Sequence, residues 1–175
     1  MDRILKPNPV KLIFAFIFKE RGSLNLAKNL LKKHFGEIDF VSPVFSFNYT
    51  RYYEKEFGRE LNRLFVSFKG LINPGELPKI KVFSNKIEKK LSNDNNRLIN
   101  IDPGYIDLAK LILASTKDYS HRIYLGKGVF AETTLVFEGK SYKPWPWTYP
   151  DYGSEEYISV FNKIRGIYAA QIKNI

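Results

Sequence analysis

The sequence predicts an α/β protein of the α+β kind, with a ferredoxin-like split β-α-β first half joined to an antiparallel β-meander and a C-terminal helix. Three observations predict it. Apolar runs and amphipathic stretches alternate in the order β-α-β-β-α-β up to Ile101; short β-branched and aromatic runs separated by Gly-Lys turns follow from Arg122; the chain then closes on apolar residues at helical spacing. At 175 residues it fits one domain, residues 1–175, large enough to be stable without a disulfide or metal.

Residues 11–18 are a continuous run of apolar side chains after Lys11, the pattern of a central strand covered on both faces. Pro7 and Pro9 ahead of it, and Lys19-Glu20-Arg21 after it in place of a small-residue cleavage site, set it apart from a signal peptide. Gly22-Ser23 then supplies a break and an N-cap for a helix through Lys33, with Leu24, Ala27, Leu30 and Leu31 at helical spacing and Gly36 placed to stop it. Residues 38–47 are aromatic and β-branched around Pro43, which a central strand does not accept, so this strand lies at an edge and is interrupted there.

A polar aromatic connection at residues 48–58 leads to a strand at residues 64–71, and Asn73-Pro74-Gly75 makes a turn. Residues 79–83 read as a short strand or a first helical turn, with Ser84 as the cap of a helix through Leu91. Residues 92–96 break it, and residues 97–101 read as the next strand. The meander comprises residues 122–125, 129–137 and 141–143, turned by Gly126-Lys127-Gly128 and Gly139-Lys140. Prolines make residues 145–152 an extended, stiff loop. Ser154 caps the last helix, whose apolar stripe is Tyr157, Phe161, Ile164 and Tyr168.

A formal charge of +10 attracts phosphates, nucleic acid or anionic lipid, although the basic residues are scattered along the chain. Having no cysteine excludes disulfides, thiolate zinc sites and a cysteine nucleophile, and two histidines disfavour a closed histidine metal site. A chain without cysteine fits a cytoplasmic address, and no membrane partner is expected because no stretch has the apolar length of a spanning helix.

The candidate chemistry lies in residues 100–122. Asp102-Pro103-Gly104-Tyr105 reads as a rigid turn at the C-terminal end of a strand, where α/β sheets bind ligands, and equally as an ordinary turn. Strand alternation from Lys117 puts Lys117, Tyr119, His121, Ile123 and Leu125 on one face and Asp118, Ser120, Arg122 and Tyr124 on the other. His121 is then a partly buried general acid or base, or a satisfied core-edge histidine. Arg122 either grips phosphate with its planar fork, aided by Lys117 and Lys127, or bridges to Asp102, Asp118 or Glu132. Asp102 becomes a general base or metal ligand only if Glu132, Asp118 or Glu54 converges on it. Trp147, Tyr149 and Tyr152 either stack nucleobases or form a lid over the core, with Asp151 bonding locally. Asn85-Lys86-Ile87-Glu88 faintly echoes a guanine-reading Asn-Lys-x-Asp, but the chain has no Gly-x4-Gly-Lys-Ser/Thr loop, so a P-loop GTPase is disfavoured.

Thr50-x-Tyr52-Tyr53-x-x-Glu56-x-Gly58, Asn100-Ile101-Asp102-Pro103-Gly104-Tyr105, Lys117-Asp118-Tyr119-Ser120-His121-Arg122-Ile123-Tyr124-Leu125 and Trp147-Thr148-Tyr149-Pro150-Asp151-Tyr152 together resemble the bacterial and archaeal family known as domain of unknown function 4416. The resemblance implies a nucleotide ligand, through the GTP-binding label that some relatives carry. Arg51 and Phe57 stand where relatives tend to have Asp and Met, which argues against direct ligand contact at those two positions.

The expectation is a cytoplasmic protein that binds a phosphate-bearing ligand, a nucleotide such as GTP or RNA, with phosphoester chemistry as its class if it is an enzyme. Arg122 and Lys117 hold phosphate, His121 moves a proton, Asp102 orients His121 or a metal-bound water, and Lys127, Tyr105 and Glu132 complete the ligand site. No cofactor is identified. The alternative is a non-catalytic interaction or scaffold domain whose ion-pair cluster is structural and whose tyrosine-rich connection, residues 49–57, contacts a partner.

Overall fold

A computed structural model describes residues 3–94 and 96–173; the side chains of Glu54 and Lys55 lie outside that description. The first half runs β1 (Val10–Phe18), α1 (Arg21–Phe35), β2 (Ile38–Val41), β3 (Phe45–Phe47), α2 (Glu54–Phe57), β4 (Leu61–Ile72), α3 (Leu77–Lys90) and β5 (Ile99–Ile106). The second runs β6 (Lys110–Ser115), β7 (Arg122–Gly126), β8 (Val129–Glu138), β9 (Ser141–Pro144) and α4 (Glu155–Ile172).

These strands form one antiparallel sheet in the order β2-β4-β1-β5-β6-β8-β7, with β3 also on β4 and β9 also on β8. β1 lies between β4 and β5, and β2 pairs with β4, which is the order of a split β-α-β unit. The continuous apolar run of β1 has a physical cause: Leu12, Phe14, Phe16 and Phe18 pack under α1 and α3, whereas Ile13 and Ala15 pack under α4. Helices therefore cover both faces of the strand, and period-2 alternation of polarity disappears.

The edge assignment of residues 38–47 holds. Pro43 separates β2 from β3, and Ser42 carries the pairing across the gap by donating its N–H to Phe65 O and accepting from Phe65 N, both at 2.9 Å. Gly36 ends α1 at φ 88°, and Ser154 accepts from Tyr157 N at the start of α4. Tyr157, Phe161, Ile164 and Tyr168 are all buried, as their spacing predicts.

Four expectations are corrected. α1 begins at Arg21 after Glu20, so Ser23 is not its cap; it sits inside the first turn and donates to Glu20 O at 2.8 Å. Residues 79–83 are helical, the second of their two readings, but Ser84 is no cap: both belong to α3, which opens with a Pro in its first turn, and Ser84 donates to Lys81 O in mid-helix. β6 was not anticipated, although Leu111-Ile112-Leu113-Ala114 is an apolar run, and it joins the meander to the split unit. Asp102-Pro103-Gly104-Tyr105 is no turn at all but the middle of β5.

Gly104 has a packing reason to be glycine. A Cβ there would lie 2.3 Å from Ile112 O on β6 and 2.8 Å from Leu113 Cδ2, so only a bare Cα lets the two strands approach. Among the described residues no helix is long and apolar enough to cross a membrane.

Candidate functional site

β5 and β6 pair only through Gly104, Tyr105 and Ile106, opposite Leu113, Ile112 and Leu111. Before Gly104 the strands part. Pro103, which has no N–H to offer a ladder, stands where pairing stops, and a cleft of about 670 Å³ opens between Asn100 and Asp102 on β5 and Leu113, Ala114 and Ser115 on β6. α3 lines it with Lys81, Asn85 and Glu88, and the connection after β3 contributes Tyr49, Thr50, Tyr52 and Tyr53. The β6–β7 loop adds Lys117 and Tyr119, the meander adds Arg122 and Glu132, and the segment before α4 adds Tyr149, Asp151 and Tyr152.

The floor holds Arg63 of β4. Its side chain is 4% exposed, sits among the rings of Phe47, Phe65 and Tyr152, and donates from Nη2 to Asp151 Oδ2 at 2.8 Å. Its Nε and Nη1, with the hydroxyls of Tyr152 and Tyr157, are buried without a hydrogen-bond partner. An unsatisfied guanidinium N–H in a dry site is expensive, so these donors face an environment that asks for an acceptor. Burial pushes the Asp151 carboxyl above its usual range despite the opposing Arg63 charge.

Asp102 receives Lys81 Nζ at 3.1 Å and Asn100 Nδ2 at 2.6 Å. Burial opposes its ionisation, but the charges of Lys81 and Arg63 and these two hydrogen bonds outweigh it and hold the carboxyl below the ordinary aspartate range. Arg97 grips Glu56 with Nε and Nη2, both at 2.7 Å, and reaches Glu88 and Asn100 with Nη1, both at 3.1 Å. Glu88 also accepts from Ile101 N at 2.6 Å.

Asp102, Lys117, Arg122 and Glu132 do line one cleft, but not in the expected pairing. His121 bonds Glu132 at 3.1 Å, while Asp102 is held by Lys81 and Asn100, so Asp102 does not orient His121. The face assignment from Lys117 fails for a physical reason: β7 starts only at Arg122, residues 116–121 form a loop without strand alternation, and Ile123 is 72% exposed. Arg122, expected as a phosphate fork or a bridge, is a bridge: it donates to Glu132 Oε2 and Ser115 Oγ at 2.8 and 2.9 Å.

Lys127 occupies the β7–β8 turn and Tyr105 packs beside Leu77 and Ile112, so neither lines the cleft. Tyr149 and Tyr152 line it and Trp147 does not. Asp151 reaches Arg63 rather than bonding only locally. Asp118 is exposed and does not line the cleft, and the Glu54 side chain lies outside the described residues. Phe57 packs with Ile17, Phe47 and Leu61, a core contact that accounts for an apolar side chain there.

Sequence reasoning missed Arg63, Lys81 and Arg97, met Glu88 only in the echo of a guanine-reading motif, and gave Asp151 a local role alone. Two signals were present. Arg63 shares alternation with Leu61 and Phe65 in a largely apolar strand, and Lys81 and Glu88 fall on the helical stripe of Leu77, Ile80, Ser84 and Ile87 that faces the core. Charges on buried stripes mark a polar interior.

Among the described residues no group of three His, Asp or Glu side chains is arranged to hold a metal ion. The cleft can offer cationic and aromatic donors to an anion, with Asp102 as an ionised acceptor. Neither a curated protein nor a solved structure matches the chain. Residues 8–168 match the family described as domain of unknown function (DUF4416), from the strand entering the sheet through the cleft to the last turns of α4, and the chain belongs to that family.

Proposed function

We propose that the cleft binds a phosphate-bearing ligand, a nucleotide such as GTP, in a cytoplasmic protein. The observation that carries this reading is Arg63: a guanidinium at the floor of an open cleft that has one carboxylate, Asp151, on Nη2 and only the tyrosine hydroxyls of Tyr152 and Tyr157 near its other nitrogens. Phosphate oxygens are the acceptors that such a donor fork matches. At the mouth, Lys117 Nζ lies 4.2 Å from the centre of the Tyr52 ring and meets no carboxylate among the described residues, leaving its charge for a ligand. Tyr49, Tyr52 and Tyr149, each about half exposed, give a planar base surfaces to stack on. If phosphoester chemistry occurs, Asp102, kept ionised by Lys81, Arg63 and Asn100, serves to orient the attacking group rather than to take its proton.

The competing reading, an interaction or scaffold domain with structural ion pairs, is favoured by the Arg122–Glu132 and Arg97–Glu56 pairs, which need no ligand. A thermal-shift panel of GTP, GDP, ATP and pyrophosphate separates the two. Ligand at about a hundred times its Kd adds about 2.7 kcal/mol of stability. A rise of several degrees that Lys117→Ala weakens supports the cleft; an unmoved melting temperature across the panel supports the scaffold.

A further inference from the structure

Beside the cleft, four aromatic rings from two distant segments form a ladder. Tyr119 stacks on His121, His121 on Trp147, and Trp147 on Trp145, with centroids 5.9, 5.4 and 5.2 Å apart and interplanar angles of 14°, 14° and 9°. Near-parallel rings at such spacings are offset, which leaves part of a face uncovered, while at the Tyr119 end the Arg122 guanidinium lies 4.5 Å from the ring centre. Tyr119, Trp147 and Trp145 are 47%, 37% and 37% exposed.

β8 holds the rungs in place. Trp147 Nε1 donates to Thr133 O at 3.0 Å, Thr148 Oγ1 donates to Thr134 O at 2.5 Å while accepting from Trp145 N at 2.8 Å, and the buried Glu132 fixes His121. A core lid would bury its tryptophans. These are instead held by Trp147 Nε1 and by the Trp145 backbone N–H and stay more than a third exposed, which is pre-organisation for a planar guest.

We propose that this ladder is a stacking platform for successive bases of a single-stranded nucleic acid. The inference goes beyond the cleft reading, because its partner is a polymer and its residues, Tyr119 apart, do not line the cleft. Charge selects that partner: the chain carries +10, and the ladder starts at Tyr119, in the stretch that also presents Lys117. Aromatic faces are sequence-tolerant partners for bases, and a polyanion answers the excess positive charge.

Trp145 and Trp147 are the chain's two tryptophans, so tryptophan emission, excited to the red of tyrosine absorption, reads the ladder alone. The test titrates the full chain with a short oligouridylate, the matching oligothymidylate, a duplex of the same length and a proline-rich peptide, with affinity read independently by anisotropy of labelled oligonucleotides. Quenching by either single strand is expected, relieved by salt, with affinity falling about tenfold in Trp145→Ala and largely kept in Trp145→Phe. Preference for the RNA or equal binding of RNA and DNA both support the platform.

Unaltered affinity in Trp145→Ala, a duplex bound as tightly as the single strand, or quenching by the peptide alone overturns it. Stabilisation by GTP without oligonucleotide quenching sinks the ladder and leaves the cleft. Quenching without stabilisation by GTP does the reverse.

Discussion

Arg63 and Asp151, 88 residues apart in the chain, meet as a buried ion pair at 2.8 Å, with side chains 4% and 6% exposed. Each offsets much of the cost of burying the other, with Asp102 as a further negative charge near Arg63. Asp151→Ala leaves the buried guanidinium without its hydrogen-bonded counter-ion and is expected to lower stability by about 3 kcal/mol in urea denaturation. A loss no larger than that of an ordinary surface substitution would show that Arg63 is neutralised elsewhere.

The glutamates on either side of Arg97 should answer pH with opposite signs. Hydrogen bonds from Arg97 hold Glu56 below the usual glutamate range, so its contribution is present above the unfolded value of about 4.3 and lost as pH falls through the lower folded value. Burial holds Glu88 above that range, so its contribution is full below the unfolded value and lost as pH rises through the raised folded one. Denaturation across a pH series should show Glu56→Gln flattening the acid limb and Glu88→Gln flattening the decline above it. Curves parallel to the unmodified chain would refute both assignments.

Gly104→Ala should separate strands that only a glycine lets touch. The added methyl meets backbone, Ile112 O at 2.3 Å, which cannot swing aside as a flexible side chain does. Overpacking of this kind costs about 1–3 kcal/mol, or more where backbone must shift. Because the same contact ends the β5–β6 ladder at the cleft, weaker ligand binding should accompany the fall in denaturation midpoint.

Arg122 and Lys117, five residues apart, should separate stability from binding. Arg122→Ala leaves the carboxylate of Glu132, which is 2% exposed, with His121 and Thr134 but no permanent cation, and is expected to cost about 3 kcal/mol. Lys117→Ala removes an exposed charge, should change stability by no more than about 0.5 kcal/mol, and should weaken nucleotide binding in titration calorimetry. Comparable losses of stability in both variants would contradict these roles.

The layout of strands and helices was legible wherever local pattern and tertiary packing agree. β1 announced its two-sided burial by an unbroken apolar run, Pro43 announced an edge, and α4 announced its stripe and cap. Asp102-Pro103-Gly104 misled because the same three residues suit a turn and suit a strand that must stop pairing on one side while touching a neighbour on the other; only the position of β6 decides between them. In the site, Arg122 and Glu132 were found by residue type, yet the pairing of His121 depended on where β7 begins, a boundary that alternation could not supply. Arg63 went unnoticed because a lone charge in a strand looks like surface until its alternation partners, Leu61 and Phe65, are known to be interior.

The position of Asp151 also bears on how the protein is made. Synthesis from the N-terminus delivers the cation of β4 early and its counter-ion only after the last strand, just ahead of α4. Until that late segment folds back, the cation of β4 has Asp102 of β5 to oppose it but no hydrogen-bonded counter-ion, so a nascent chain that stops short of residue 151 lacks one wall of the cleft and the partner that seats Arg63.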